Sequence, residues 1–409
     1  RAGWVCGMPD GEEKDGNGMD GIIYLDNAAT TKVSEGVLKE MLPYFCNSYG
    51  NPSSIYEFSV QSKKALVSAR QEIAAFLNCE PNEIYFTSGG SESDNWALCG
   101  MVEAMAKKGA HIVTTKIEHH AVLSTCEALE KKGCRISYVG VDENGIIKLE
   151  ELKRAITPET VLISVMAANN EIGTIQPVAE IGRIAKERGI CFHTDAVQAF
   201  GHIPLDVKAM GIDMLSASAH KLNGPKGIGF LYVRKGIMLP SFIRGGGQER
   251  GRRAGTENVP GIVGFAQAVR EAAKDLFGRA EKESALRDYF MDEVLRRIPY
   301  VRVNGSRKMR LPNNVNFSFQ FVEGESLLIM LDMQGICASS GSACTAGSLL
   351  PSHVLMALGL PEEVAHGSIR FTLSQETTRD EIDFVIDKME EIVEKLREMS
   401  PFYDEIRGR

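Results

Sequence analysis

From residue 84 to residue 233 the chain alternates short apolar runs with amphipathic stretches, and this alternation narrows the fold more than any other feature. Ile84-Tyr-Phe-Thr, His111-Ile-Val-Thr-Thr, Val161-Leu-Ile-Ser-Val, Cys191-Phe-His-Thr, Met214-Leu-Ser-Ala and Phe230-Leu-Tyr-Val read as strands, with helical patterns such as 92–108 and 121–132 between them. Such a series predicts an α/β fold: a mostly parallel sheet covered by helices on both faces. Ligands in that architecture bind at the carboxyl ends of the strands. Past about residue 277 the texture changes. Long helical patterns over 259–277 and 279–297 lead into shorter strands such as Val315-Asn-Phe-Ser-Phe, and a final amphipathic helix is expected over 379–399. With 409 residues the chain exceeds the usual size of one core. We therefore expect a large domain over 34–277 and a smaller α+β domain built from 19–33 together with 278–409. Residues 1–18, rich in Gly, Asp and Glu, are expected to be a disordered leader, with Met19 a candidate natural start.

The formal net charge of -8 argues against a general nucleic-acid or membrane-surface binder. No run is long and apolar enough to span a bilayer, and the N-terminus lacks an apolar signal core, so a cytoplasmic location is the expectation. The nine cysteines include no Cys-x-x-Cys pair, which removes zinc ribbons and thioredoxin-type motifs from consideration, and no metal site is expected.

Several polar motifs follow strand ends. Ser216 to Gly229 reads Ser-Ala-Ser-Ala-His-Lys-Leu-Asn-Gly-Pro-Lys-Gly-Ile-Gly, a Gly/Pro turn between two apolar runs. Lys221 is there either a solvated turn lysine or, desolvated at the lip of a sheet, a nucleophile toward aldehydes. Ser218 and His220 beside it could hold a phosphate. Thr87-Ser-Gly-Gly-Ser-Glu-Ser places Gly90 and Ser91 where a helix opens, suited to an anion or simply to a capped start. His193-Thr-Asp-Ala-Val-Gln offers Asp195, either a helix N-cap or the partner of a protonated pyridine nitrogen, and Gln198 for a ring oxygen. His119 in Glu118-His-His could stack on a ring or carry protons, and Asn170 in Asn169-Asn-Glu adds an amide. Separately each is weak. Together they place a lysine, an aspartate, a histidine and an anion site at successive strand ends. Downstream, Ala338-Ser-Ser-Gly-Ser-Ala-Cys-Thr-Ala-Gly-Ser holds Cys344 in a small polar loop without apolar periodicity, where a thiolate could carry sulfur as a persulfide. Arg370, in the strand-like Gly367-Ser-Ile-Arg-Phe, calls for a carboxylate.

The sequence resembles the cysteine desulfurases of the NifS/IscS type, from about residue 22 to residue 407. Tyr24-Leu-Asp-Asn-Ala-Ala-Thr-Thr, Thr87-Ser-Gly-Gly-Ser-Glu-Ser-Asp-Asn, Asn169-Asn-Glu-Ile-Gly, His193-Thr-Asp-Ala-Val-Gln and Ser218-Ala-His-Lys carry the resemblance. Gly245-Gly-Gly-Gln-Glu-Arg-Gly-Arg-Arg-Ala-Gly-Thr-Glu-Asn and Ser339-Ser-Gly-Ser-Ala-Cys-Thr are its most specific parts. The resemblance implies the aspartate-aminotransferase fold (fold type I), the cofactor pyridoxal 5'-phosphate, and a homodimer with sites at the interface. Lys221 would hold the cofactor as a Schiff base, Asp195 would pair with its ring nitrogen, Gln198 would contact the ring oxygen, and His119 would stack on the ring. Gly90, Ser91, Ser218 and His220 would bind the phosphate, with Thr256 reaching in from the neighbouring subunit. Arg370 and Asn170 would grip the carboxylate of the substrate L-cysteine. Cys344 would take the sulfur and pass it to an acceptor such as an iron–sulfur scaffold or a thiolation protein, which requires the loop to reach both the ring and an outside partner. Ser91 and Ala346 stand where threonine and serine are frequent, and the leader 1–18 has no counterpart. An aminotransferase of the same fold, a selenocysteine-specific lyase and a cofactor-free docking scaffold are the competing readings.

Overall fold

The computed structural model describes residues 21–340, 351–401 and 403. A short strand, β1 (Ile23–Tyr24), is followed by seven that form one sheet: β2 (Ile84–Thr87), β3 (His111–Thr115), β4 (Arg135–Val139), β5 (Thr160–Ser164), β6 (Cys191–Asp195), β7 (Met214–Ser218) and β8 (Gly229–Val233). Their order across the sheet is β2-β8-β7-β6-β5-β3-β4. The pairs from β7 to β4 are parallel, whereas β8 runs antiparallel to both β2 and β7. The physical reason for that reversal is the short connection 219–228, which lacks the length of a crossover helix. The sheet is thus mostly parallel, as expected, with a tight reversal at Lys221.

Buried strands must be apolar on both faces, and the alternation shows it. Ile163 and Phe230 pack with Leu66, Ile73, Phe200 and Phe265 on one face. Their neighbours Leu162 and Leu231 pack with Trp96, Leu98 and Ile112 on the other. β4 escaped the sequence reading because it is an edge strand whose first four residues are only partly buried, which erases the apolar run.

The remaining strands are β9 (Val301–Val303), β10 (Asn314–Phe319), β11 (Ile336–Cys337) and β12 (Ser368–Thr372). Three of them form an antiparallel sheet in the order β12-β10-β9, and β1 pairs with β11. A separate apolar cluster joins Leu25 to Phe290, Phe317, Phe371 and Ile386, so the chain's first strand is packed among residues from its last third. The long helices run Val259–Lys274 and Leu276–Arg297, broken at Asp275, whose carboxylate accepts from the Gly278 amide at 3.1 Å. The last helix, Arg379–Glu398, starts with a reciprocal capping box between Thr378 and Glu381 and buries the stripe Ile382, Val385, Ile386, Met389, Ile392 and Val393. Among the described residues no helix is long and apolar enough to cross a membrane.

Candidate active site

A cavity of about 370 Å³ opens at the carboxyl ends of β6 and β7 and is lined by Lys221, Asp195, Gln198, His119, Gly90, Ser91, Ser218, His220, Asn170 and Arg370. Ten residue positions singled out in the sequence thus meet in one place. Thr256 is exposed and does not line this cavity. Cys344 lies outside the described residues.

Lys221 ends the single helical turn Ala219–Lys221 that follows β7. Its Nζ donates to the carbonyls of Ala28 and Ala29 at 2.5 and 2.6 Å. The turn is held from below by His202, whose Nε2 donates to the Lys221 carbonyl at 2.9 Å. It is held from the side by Thr31, whose amide and hydroxyl both donate to the His220 carbonyl. Gln198 Nε2 donates to the Ala28 carbonyl as well, at 3.0 Å. The segment Asp26–Thr31 is therefore the lid of the lysine's chamber, a role its sequence did not announce.

Asp195 ends β6 at 5% exposure, and its Oδ1 accepts from the Val197 amide at 2.9 Å. A turn rather than a helix follows, so the helix-cap alternative is set aside. Burial raises the Asp195 pKa, opposed by His119, the Val197 amide and Lys221. His119 caps the helix His120–Glu130, and its Nδ1 accepts from the Ala121 amide at 3.1 Å. Burial lowers its pKa, so the ring is neutral with its proton on Nε2.

The other end of the cavity is built for an anion. Gly90 and Ser91 start the helix Gly90–Ala104, where free amides and the helix dipole favour negative charge. A side chain at Gly90 would meet Val197 Cγ2 at 2.5 Å, which is why only glycine fits. Gly229 is equally constrained, since a Cβ there would come within 2.6 Å of the Gly89 backbone. Ser218 and His220 face the same end, and His220 Nδ1 lies 3.2 Å from Thr30 Oγ1. Burial, with Lys221 and Lys226 nearby, pushes the His220 pKa down to about 4, leaving a neutral ring able to donate one hydrogen bond.

Arg370, on β12, is 3% exposed and closes the cavity from the smaller sheet. Its Nη2 donates to Asp26 Oδ1 at 2.7 Å and its Nη1 to the Asn170 carbonyl at 3.0 Å, while Nε has no partner among the described residues. Asn170 thus meets Arg370 through its backbone.

The sequence reading missed the acids and histidine behind this wall. His193 bridges Ser164 Oγ at 2.9 Å and Ser216 Oγ at 3.0 Å, and its Nε2 lies 3.6 Å from Asp94 Oδ1. Burial lowers the His193 pKa to about 3 and raises that of Asp94. Glu118 accepts from Thr115 Oγ1 at 2.6 Å and from the Met166 amide at 3.1 Å, and burial lifts its pKa to about 8. Glu171 is raised to about 7 by burial, against Ser352 and Arg370. His193 sits two residues before Asp195, in register with Ser164 on β5 and Met214 on β7, and only its ring reaches Ser216, so no local signal marked it.

A ligand matching this cavity carries an anion at one end, a protonated nitrogen opposite Asp195, a carbonyl carbon for Lys221 and a carboxylate for Arg370. The family model described as Aminotransferase class-V matches residues 23–385, and the chain belongs to that family. It is 54% identical over 389 residues to "Cysteine desulfurase IscS" of Clostridium botulinum, covering 95% of this chain and 98% of the relative. Among solved structures, a "NIFS-LIKE PROTEIN" superposes with a TM-score of 0.86 at 40% identity, covering 91% of this chain and 100% of the other. "SspA in complex with cysteine" does so with a TM-score of 0.77 at 38% identity, over 87% and 99%. Within the class-V aminotransferases, these relatives place the chain among the cysteine desulfurases of the NifS/IscS type.

Proposed function

We infer that this chain is a cysteine desulfurase that takes sulfur from L-cysteine, leaves L-alanine, and holds the sulfur as a persulfide on Cys344. The observation that carries this reading is the convergence of Lys221, the buried Asp195, the glycine-lined anion end and Arg370 in one cavity. The donor set fits pyridoxal 5'-phosphate: Gly90, Ser91, Ser218 and His220 at the phosphate, Asp195 at the ring nitrogen, Gln198 at the ring oxygen, His119 over the ring and Lys221 at the aldehyde. When bound, that group supplies an electron sink for negative charge on the substrate's α-carbon.

The chain's own residues do the rest. Arg370 and Asn170 orient the substrate carboxylate. Lys221 takes the α-proton on Nζ, and the neutral His119 offers a proton from Nε2. The Cys344 thiolate attacks the substrate sulfur; an S–S bond forms, the C–S bond breaks, and its electron pair stays on the substrate β-carbon, which takes up a proton to become the methyl group, while Lys221 gives its proton back to the α-carbon to complete alanine. We further propose that the protein works as a cytoplasmic homodimer, with Thr256 of each chain completing the other's phosphate site. The exposed position of Thr256 supports that arrangement. The sulfur then passes to an acceptor protein, an iron–sulfur scaffold or a thiolation factor.

The test is mass spectrometry of the purified protein after L-cysteine is added, with alanine quantified in parallel. One sulfur gained on the Cys344 peptide together with alanine is the expected result. Alanine without that persulfide would mean a lyase that sheds sulfur differently, and neither product would sink the desulfurase reading.

A further inference from the structure

We propose that Glu171 and Ser352 form a clasp that positions the sulfur-accepting arm for transfer, with Glu171 as the fixed post and Ser352 as the hook. The proposal rests on the reading of Cys344 as sulfur acceptor and deepens it. Residues 341–350, which include Cys344, lie outside the described residues, between Ser340 and Pro351. What matters is where the two ends are tied.

The outgoing end is tied to Arg370. Ser339 and Arg370 exchange both backbone hydrogen bonds, at 3.1 and 2.6 Å. The returning end is tied to Glu171, whose Oε2 accepts from Ser352 Oγ across a separation of 181 residues. The direction of that bond is settled by counting. Ser352 caps the helix His353–Ala357, so its oxygen already accepts from the Val354 and Leu355 amides at 3.2 and 3.4 Å. A hydroxyl has one proton, and it goes to Glu171.

Glu171 is a rigid anchor. Its amide donates to Asn169 Oδ1 at 2.9 Å, and its carbonyl accepts from Asn316 Nδ2 at 3.1 Å and Asn314 Nδ2 at 3.3 Å. Its side chain is buried, as is that of Ser352. Next to it, the Asn170 carbonyl accepts from Arg370. The described flanks of the stretch that includes Cys344 are therefore tied to the backbone of Arg370 and to the neighbour of Asn170, the two residues proposed to hold the substrate carboxylate.

Other contacts also hold the returning helix. Val354, Leu355 and Leu358 pack against Ile117, Met166 and Ile172, and His353 Nε2 donates to the Glu118 carbonyl at 3.0 Å. Apolar packing is non-directional, and the His353 bond ties the helix to the segment after β3 rather than to the substrate wall. The Ser352 hydroxyl supplies the directional tie to the segment that carries Asn170.

Ser352 variants of the full-length, cofactor-loaded protein separate the clasp from the cap. Ser352→Thr keeps both. Ser352→Gly keeps most of the helix cap and removes the donor, while Ser352→Ala removes both. Two readouts are taken after mixing with L-cysteine: the cofactor absorbance change that reports substrate binding, and the single-turnover rate of mass gain on the Cys344 peptide. We expect the Gly and Ala variants to bind cysteine within about twofold of the parent protein yet to form the persulfide about tenfold more slowly or worse, the scale of a lost buried hydrogen bond. The Thr variant should match the parent. Parent-like persulfide rates in the Gly variant would overturn the clasp, as would a loss of cysteine binding in the same proportion as the loss of rate. Parent protein that forms neither alanine nor a persulfide overturns the desulfurase reading itself, before any variant is compared.

Discussion

The two walls of the cavity are made in different ways. The wall on the large sheet takes Asp195 and Ser218 from the ends of adjacent parallel strands and Lys221 from the turn that follows β7, so each is placed by its strand or by the turn directly after it. The opposite wall joins Asp26 to Arg370 across 344 residues and Glu171 to Ser352 across 181. Neighbouring strands bring chemistry together by repetition of one rule, whereas the second wall depends on β1 and Leu25 packing in the apolar cluster of Phe290, Phe317 and Phe371. It follows that the first wall should lose function when a residue is changed but keep its shape, while the second should lose shape and function together.

The largest effect belongs to the first wall. Lys221→Ala should cut alanine formation on the order of a thousandfold or more, the scale of removing a catalytic nucleophile, with little change in the unfolding transition. A residual rate within tenfold of the parent protein would remove Lys221 from the chemistry. On the second wall, Arg370→Ala leaves the Asp26 carboxylate without its guanidinium in a largely buried setting. Denaturant unfolding should show a loss of about 3 kcal/mol, accompanied by a higher KM for cysteine. If only KM moves, the two walls do not differ in the way argued.

A smaller effect sharpens the contrast within the first wall. Gly90→Ala puts a methyl group 2.5 Å from Val197 Cγ2. The crowding should weaken cofactor retention about tenfold, measured by dialysis and absorbance, because strain of 1–3 kcal/mol is typical of overpacking. The effect that is smallest over any one pH unit concerns titration. Burial holds the folded-state pKa of Glu118 at about 8 against an ordinary 4.5, so between those values the folded protein keeps a proton that the unfolded chain has lost. Stability from this group is full below about 4.5 and is lost as pH rises toward 8. Glu118→Gln does not titrate, so its stability relative to the parent should improve by on the order of 1 kcal/mol per pH unit up to about 8 and then level off. A difference independent of pH would mean that Glu118 does not carry that proton.

The same contrast explains what was legible beforehand. The strand-end rule led from the alternation of strands and helices to Lys221, Asp195, His119 and Gly90 without any knowledge of contacts. Asp94 and His193 were invisible because one sits inside a helix and the other inside a strand, where a buried polar residue looks like any other. Their meeting depends on which helix turn faces which strand. Asp26 was quoted only as part of a motif, and its pairing with Arg370 needed both partners in space. The antiparallel course of β8 was open in principle, since its connection is short, yet the alternating pattern alone gave a mostly parallel sheet without saying which strand runs against the rest.

Sequence by itself determined the layers, the strand ends and the inventory of chemistry, because periodic burial and turn residues act over a few positions and leave a mark in any short window. Tertiary structure alone decided which acid lies beside which base, that Asn170 offers its carbonyl to Arg370, and that Glu171 receives Ser352. Those choices depend on distances between segments remote in the chain, and a buried charge leaves no local trace of the partner that makes its burial tolerable.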